Sequence, residues 1–186
     1  MLEPPKQPGA AGLPKHLVVV HACPDGMISI LLAKWLKLMG WPTLFIVTSD
    51  RNIDCTYNLG VASALRTSHD RFVFCDNDVR PEPAGLVPFW AMDADVVGAE
   101  YRTEGGPGSW HDPNKIHSGF WRTRREVLEA MPPPWFHWHR SSDHTRTIGC
   151  VCGSFCDKAR QLGFSIRHAG EVGHTPRSEA RAMKRT

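Results

Sequence analysis

The stretch HLVVVHA, His16–Ala22, limits the folds open to this chain more than any other feature. Four consecutive apolar residues, Leu17–Val20, leave no polar alternation along an extended backbone, so a strand made of them has no solvent face and needs cover on both sides. Directly behind it, MISILLAKWLKLMGW places Ile28, Leu31, Leu32, Trp35, Leu36 and Met39 at helical spacing, and Gly40 and Pro42 end that helix. The alternation then repeats. TLFIVTS reads as a second strand, YNLGVASALRTS as a helix, RFVFCD as a third strand, AGLVPFWAMD as a short helix interrupted by Pro88, and ADVVGAEY as a fourth strand. Strands alternating with helices predict one α/β domain, a mostly parallel Rossmann-like sheet with helices on both faces.

After Tyr101 the texture changes. RTEGGPGSWHDPNKIHSG is a long loop rich in Gly, Pro and polar residues, of the kind that is usually functional or disordered. TRREVLEAM reads as a helix and PPPWFHWHRSSDHTRTIG as a loop crowded with Trp and His. GSFCDKARQLGF then offers Phe155, Ala159 and Leu162 as an apolar helix face, before the strand SIRHA and the segment GEVGHTP. Residues 1–14 read as a disordered leader, 15–176 as the folded domain and 177–186 as a basic tail. No internal repeat is visible.

Bulk properties exclude several classes. With 186 residues, 41% of them hydrophobic, the chain can build one core. A net charge of +3 is too small to argue for nucleic acid. No apolar run approaches the roughly 20 residues a membrane-spanning helix needs, and the Pro- and Gly-rich start does not suit a signal peptide, so a cytoplasmic protein is expected. Six scattered cysteines read as free thiols.

In open α/β sheets ligands bind beyond the carboxyl ends of the strands. HACPDGM, TSDRN and CDNDV all fall there. In the last, Asp76 and Asp78 alternate along an extended backbone, so both carboxylates can point one way at the strand's mouth, which suits a divalent cation.

Taken in order, CDNDV with RPEP, then DADVVGAEY, HSGFWRTRREVLEAM and FCDKARQLGFSIRHAGEVGH resemble a GT-A nucleotide-sugar glycosyltransferase, similar to glycosyltransferase family 2, over roughly residues 15 to 176. The resemblance implies a UDP- or GDP-sugar donor, a Mn²⁺ or Mg²⁺ ion, and a glycan, lipid or protein acceptor hydroxyl. It makes Asp78 the direct metal ligand, Asp76 a ribose or water-mediated contact beside Asn77, and His174 a further ligand. Asp25, Ser49, Asp50 and Arg51 would meet the nucleoside. Asn58 is a weaker nucleotide candidate, and Arg66 reads as an exposed helix residue. On the acceptor side, Gly119 is a small residue admitting sugar, preceded by His117, while Trp110 and Trp121 are stacking candidates. The family's acidic pair before the late helix is replaced by Val151 and Cys152. Asp143 then serves as the base, or the enzyme is retaining, or transfer has been lost. The chain is short for that family, so its acceptor subsite is either minimal or completed by a partner or by a second copy in a homo-oligomer.

Two alternatives compete. The opening strand and loop resemble the DHH phosphoesterases, although Met27 replaces the second Asp and no DHH triplet follows. Cys150, Cys152 and Cys156 with His137, His139 or His144 carry zinc-ligand chemistry without the paired spacing of a zinc module.

Overall fold

From Leu17 onward, β1 (His16–Ala22) is buried along its length. In the computed structural model, which describes residues 15–22, 28–47, 53–103, 106–107, 115–117, 119–140, 142–143 and 147–174, this strand lies inside a sheet with a separate core on each face. Leu17 and Val19 pack with Tyr57, Val61 and Ala64, whereas Val18 and Val20 pack with Leu32 and Trp35. The uninterrupted apolar run is the sequence's way of covering both faces.

The chain continues through α1 (Ile30–Met39), β2 (Thr43–Val47), α2 (Ile53–Leu65), β3 (Arg71–Asp76), β4 (Val79–Pro81), α3 (Val87–Ala91) and β5 (Val96–Thr103). It is completed by β6 (Gly106–Pro107), β7 (Phe120–Arg124), α4 (Arg125–Ala130), β8 (His139–Arg140), β9 (Thr147–Gly149), α5 (Val151–Gln161) and β10 (Ile166–His174). Ser29 caps α1 by accepting the Leu32 N–H, and Gly40 closes it in the left-handed region at φ 63°, as its position after the last apolar residue predicts.

The main sheet runs β2-β1-β3-β7-β5-β10-β4, with β6 on the edge of β5 and β8-β9 forming a separate ribbon. The pairings of β1 with β2 and β3, and of β5 with β10, are parallel, while β7 and β4 run against their neighbours. The sheet is therefore mixed but mostly one-directional. Helices α2, α4 and α5 cover one face; α1 and α3 cover the other.

Two features differ from the sequence reading. Phe120–Arg124 forms the strand that separates β3 from β5, not the lead into a helix. Both its faces are buried, Phe120 in one core and Trp121 in the other, and Arg122, next along the strand, is covered by donating to the carbonyls of Phe89 and Met92. Strand alternation is thereby hidden. Trp121 consequently stacks on Phe74, with ring centroids 4.3 Å apart, and is too buried to serve as a sugar platform. SIRHA and GEVGH, read separately from sequence, are one strand, β10, with a register shift between His168 and Glu171.

Asn58 is a clamp. Its Nδ2 donates to the Phe136 carbonyl at 2.7 Å and its Oδ1 accepts the Phe136 N–H at 3.0 Å, tying α2 to the segment after α4. Both bonds form at the edge of the core, so Asn58→Ala leaves two backbone groups without these partners. The expected loss is about 2–3 kcal/mol in urea unfolding.

Candidate functional site

The carboxyl ends of β1, β3, β5 and β10 meet at the turn between β3 and β4. That turn is tied through backbone groups of Asp76, Asn77 and Val79. Asp76 N–H donates to Gly119 O at 2.8 Å, Asn77 N–H to His21 O at 3.0 Å, and Ser29 N–H to Asn77 O at 2.7 Å. Ser29 Oγ also donates to Val79 O at 2.6 Å. The N-cap of α1 thus anchors both the helix and the turn. Asp76 ends β3, whereas Asn77 and Asp78 form the turn itself, so it is this anchored loop, rather than strand alternation, that aims the two carboxylates.

Asp76 turns toward α2. The Tyr57 hydroxyl lies 3.0 Å from each of its carboxylate oxygens and donates to them. Behind Tyr57, the buried ring of His21 brings Nδ1 to 3.7 Å from Asp76 Oδ1, beyond hydrogen-bond range.

Asp78 turns toward β10. Because β4 pairs antiparallel with β10, with Val79 opposite His174, the Asp78 Oδ2 stands 3.3 Å from His174 Nε2. Arg80 fixes the far side by donating to the His174 carbonyl at 2.8 Å. The hydrogen bond to Asp78 is the main cause that raises the His174 pKa, partly opposed by burial; Asp78 and Asp76 charge raise it further. The folded value lies above the ordinary one near 6.5. The stabilisation from this pair is therefore fully present below about pH 6.5 and is lost as pH rises through the folded value.

Tyr101, near the end of β5, joins this cluster, its ring centroid 5.2 Å from that of His174 and 5.4 Å from that of His117. Burial, then the charges of Asp76 and Asp78, hold its phenol well above the usual value. Tyr101 is accordingly a neutral hydroxyl. Gly119 makes room for it: a Cβ there would lie 1.1 Å from the Tyr101 hydroxyl oxygen and 3.2 Å from Asp76 Oδ2. The space sequence reading assigned to a sugar at Gly119 is filled by Tyr101.

Of the residues expected from sequence, Asp76, Asn77, Asp78, His117, Gly119 and His174 are gathered here. Asp143 is exposed in the turn after β8. Asp25, Ser49, Asp50, Arg51 and Trp110 lie outside the described residues, as do the leader and the tail. The zinc alternative loses a ligand, because Cys156 is buried in the core with its Sγ accepting the Ile116 N–H, and no group of three metal-ligating side chains occurs among the described residues. Tyr57, His21 and Tyr101 were not singled out as site residues from sequence. Polar residues at or near the carboxyl ends of apolar strands were the available signal for His21 and Tyr101; Tyr57, inside a helix, carried none.

No family model and no curated protein matches this chain. Solved structures do. The chain is similar to a mutant of Drosophila β1,4-galactosyltransferase 7 in complex with manganese, UDP-Gal and xylobiose, at a TM-score of 0.57 and 16% identity, covering 88% of this chain and 73% of that one. The fold is GT-A. It is also similar to A197 from STIV, at a TM-score of 0.54 and 14% identity over 85% of this chain and 81% of that one. At these identities the likeness is one of fold. In this sheet the gathered residues stand at the carboxyl edge, where ligands of open α/β sheets bind. No helix among the described residues is long and apolar enough to cross a membrane.

Proposed function

We propose that this chain is a metal-dependent glycosyltransferase that moves a sugar from a UDP- or GDP-sugar to an acceptor hydroxyl on a glycan, lipid or protein. The observation that carries the reading is the pairing of Asp78 with His174 at the sheet's carboxyl edge. Their 3.3 Å separation fits two adjacent ligands of one cation, since ligands about 2.1 Å from a metal at right angles lie about 3 Å apart. Two protein ligands, without a full cage, suit a cation shared with phosphate oxygens and water. The imidazole favours Mn²⁺ over Mg²⁺. Bound there, the ion supplies Lewis-acid neutralisation of the departing diphosphate.

The protein's own groups have separable tasks in this reading. Asp76, held by Tyr57, meets the donor's ribose or a bound water, with Asn77 beside it. Tyr101 offers a hydroxyl hydrogen bond. Asp25 on the segment after β1, and Ser49, Asp50 and Arg51 after β2, face the nucleoside. His117 and Trp110 belong to the acceptor side, which a second copy of the chain completes. The catalytic unit is residues 15–176, acting in the cytoplasm without nucleic acid, and the free thiols of Cys55, Cys75, Cys150, Cys152 and Cys156 fit a reducing compartment.

A thermal-shift panel of nucleotide sugars tests the reading. A true donor at a hundredfold excess over its Kd stabilises the chain by about 2.7 kcal/mol, and does so only with Mn²⁺ or Mg²⁺ present. If no nucleotide sugar raises the melting temperature under either condition, the reading fails. Unfolding on chelation alone would restore the zinc module.

Asp143 is the proposed base, in place of the carboxylates absent at Val151 and Cys152. Its exposure puts it at the low end of general-base contributions, so Asp143→Asn should lower turnover about 10²-fold with donor affinity unchanged. Equal turnover in the two proteins eliminates it.

A further inference from the structure

The first turn of α5 carries chemistry that the transfer reading leaves unused. Cys150 is the N-cap of this helix, exposed to solvent, and its Sγ accepts the Gly153 N–H at 3.3 Å. Cys152, half-buried two residues on, hydrogen-bonds to the same sulfur through its thiol. The stem of Lys115 reaches the same place: a Cβ added at Gly153 would touch Lys115 Cε at 3.4 Å and Cys150 Sγ at 3.7 Å. One sulfur is thus faced by a backbone N–H, a second thiol and a lysine.

We propose that Cys150 and Cys152 form a redox-active dithiol, in which Cys150 attacks a low-molecular-weight disulfide and Cys152 resolves the product. In the first step the Cys150 thiolate bonds to one sulfur of the disulfide, and the other leaves as a thiolate. Cys152 gives its proton to solvent and attacks the Cys150 sulfur, forming the Cys150–Cys152 bond and releasing the second thiolate. Two cysteines are oxidised by two electrons, and the external disulfide is reduced to two thiols. Helical geometry at Val151 sets the two Cα atoms about 5.4 Å apart, inside the range a disulfide spans. Cys156 cannot take the resolving role, because it is buried and its sulfur is engaged by the Ile116 N–H.

Electrostatics supports the choice of nucleophile. The Cys152 hydrogen bond, the Gly153 N–H and Lys115 hold the Cys150 thiol down at about 5, against the opposing effect of burial. The proposal does not depend on the identity of any sugar donor.

Treating the full chain with oxidised glutathione at pH 6.5, followed by acid quench and peptide mass spectrometry, tests it. The parent should lose two hydrogens within the peptide spanning Cys150 and Cys152 and retain no adduct. Cys152→Ser should trap one glutathione on Cys150, and Cys150→Ser, which keeps a good N-cap residue, should leave that peptide unmodified. A stable adduct on the parent's Cys150, modification of Cys152 in Cys150→Ser, or equal labelling of the exposed Cys55 would overturn the assignment. A measurement on the parent alone guards against misfolded variants: alkylation in competition with a free thiol of pKa about 8.5. Held down in this way, Cys150 is more fully ionised than the free thiol at pH 6 and should be alkylated faster there. At pH 8.5, where the free thiol is ionised too, the order should invert, because nucleophilicity falls as pKa falls. A preference that does not invert also sinks the proposal.

Discussion

Asp78→Asn is expected to lower metal-dependent turnover by at least about 10³-fold while the chain stays folded, because the variant keeps the shape of the turn and removes only the charge. A cation at a departing diphosphate stabilises the transition state by several kcal/mol, and each 1.36 kcal/mol is a factor of ten. The fold should tolerate the change, since the turn is tied through backbone groups of Asp76, Asn77 and Val79, to which the Asp78 side chain contributes nothing. A second readout needs no activity. The hydrogen bond from Asp78 is the largest influence raising the His174 pKa, so removing the carboxylate should move that pKa down toward its ordinary value in an NMR titration. A folded variant whose pKa falls as expected but whose Mn²⁺-dependent turnover is unchanged would remove Asp78 from the metal site. A variant in which neither changes would mean that Asp78 and His174 do not meet.

How far the sequence revealed this arrangement depended on whether the signal was local. The first three strands and α1 were legible because each carries its own evidence: an apolar run, a helical spacing, a terminating Gly40. β7 was not, because the cues that mark a strand are absent where both faces are buried and a central Arg is satisfied by carbonyls of a helix far away in sequence. The side chains that gather at the carboxyl edge were legible by type at Asp76, Asp78 and His174, and that they hold a metal is the proposal. Their geometry was not legible, for the contact between Asp78 and His174 follows from the antiparallel pairing of β4 with β10, which no local pattern announces. Tyr101 is the clearest omission. At the end of an apolar strand it reads as core, and only the fold brings it against Asp76, His117 and the open backbone of Gly119.

That last contact sets the largest expected effect on stability, which is for Gly119→Ala. The requirement for glycine is one of space rather than backbone conformation, since Gly119 is not among the residues with positive φ. An added methyl would lie 1.1 Å from the Tyr101 hydroxyl oxygen and 2.4 Å from the ring carbon that bears it, distances no small adjustment relieves. Tyr101 has little room to yield, with the rings of His117 and His174 beside it. If β7 moves instead, the bond from Asp76 N–H to Gly119 O is strained, and with it the turn that aims both carboxylates. Overpacking alone costs about 1–3 kcal/mol; with displacement of a partly buried aromatic or loss of this bond added, the expected destabilisation is above about 4 kcal/mol. Tyr101→Ala separates this cause from a general intolerance of β7. Alone it should cost about 3–4 kcal/mol through the cavity it leaves, but combined with Gly119→Ala the loss should fall short of the sum by at least about 2 kcal/mol, because the methyl then enters the vacated space. Strict additivity in denaturant unfolding, or a Gly119→Ala protein as stable as its parent, would show that Tyr101 does not occupy the position that brings it to Asp76.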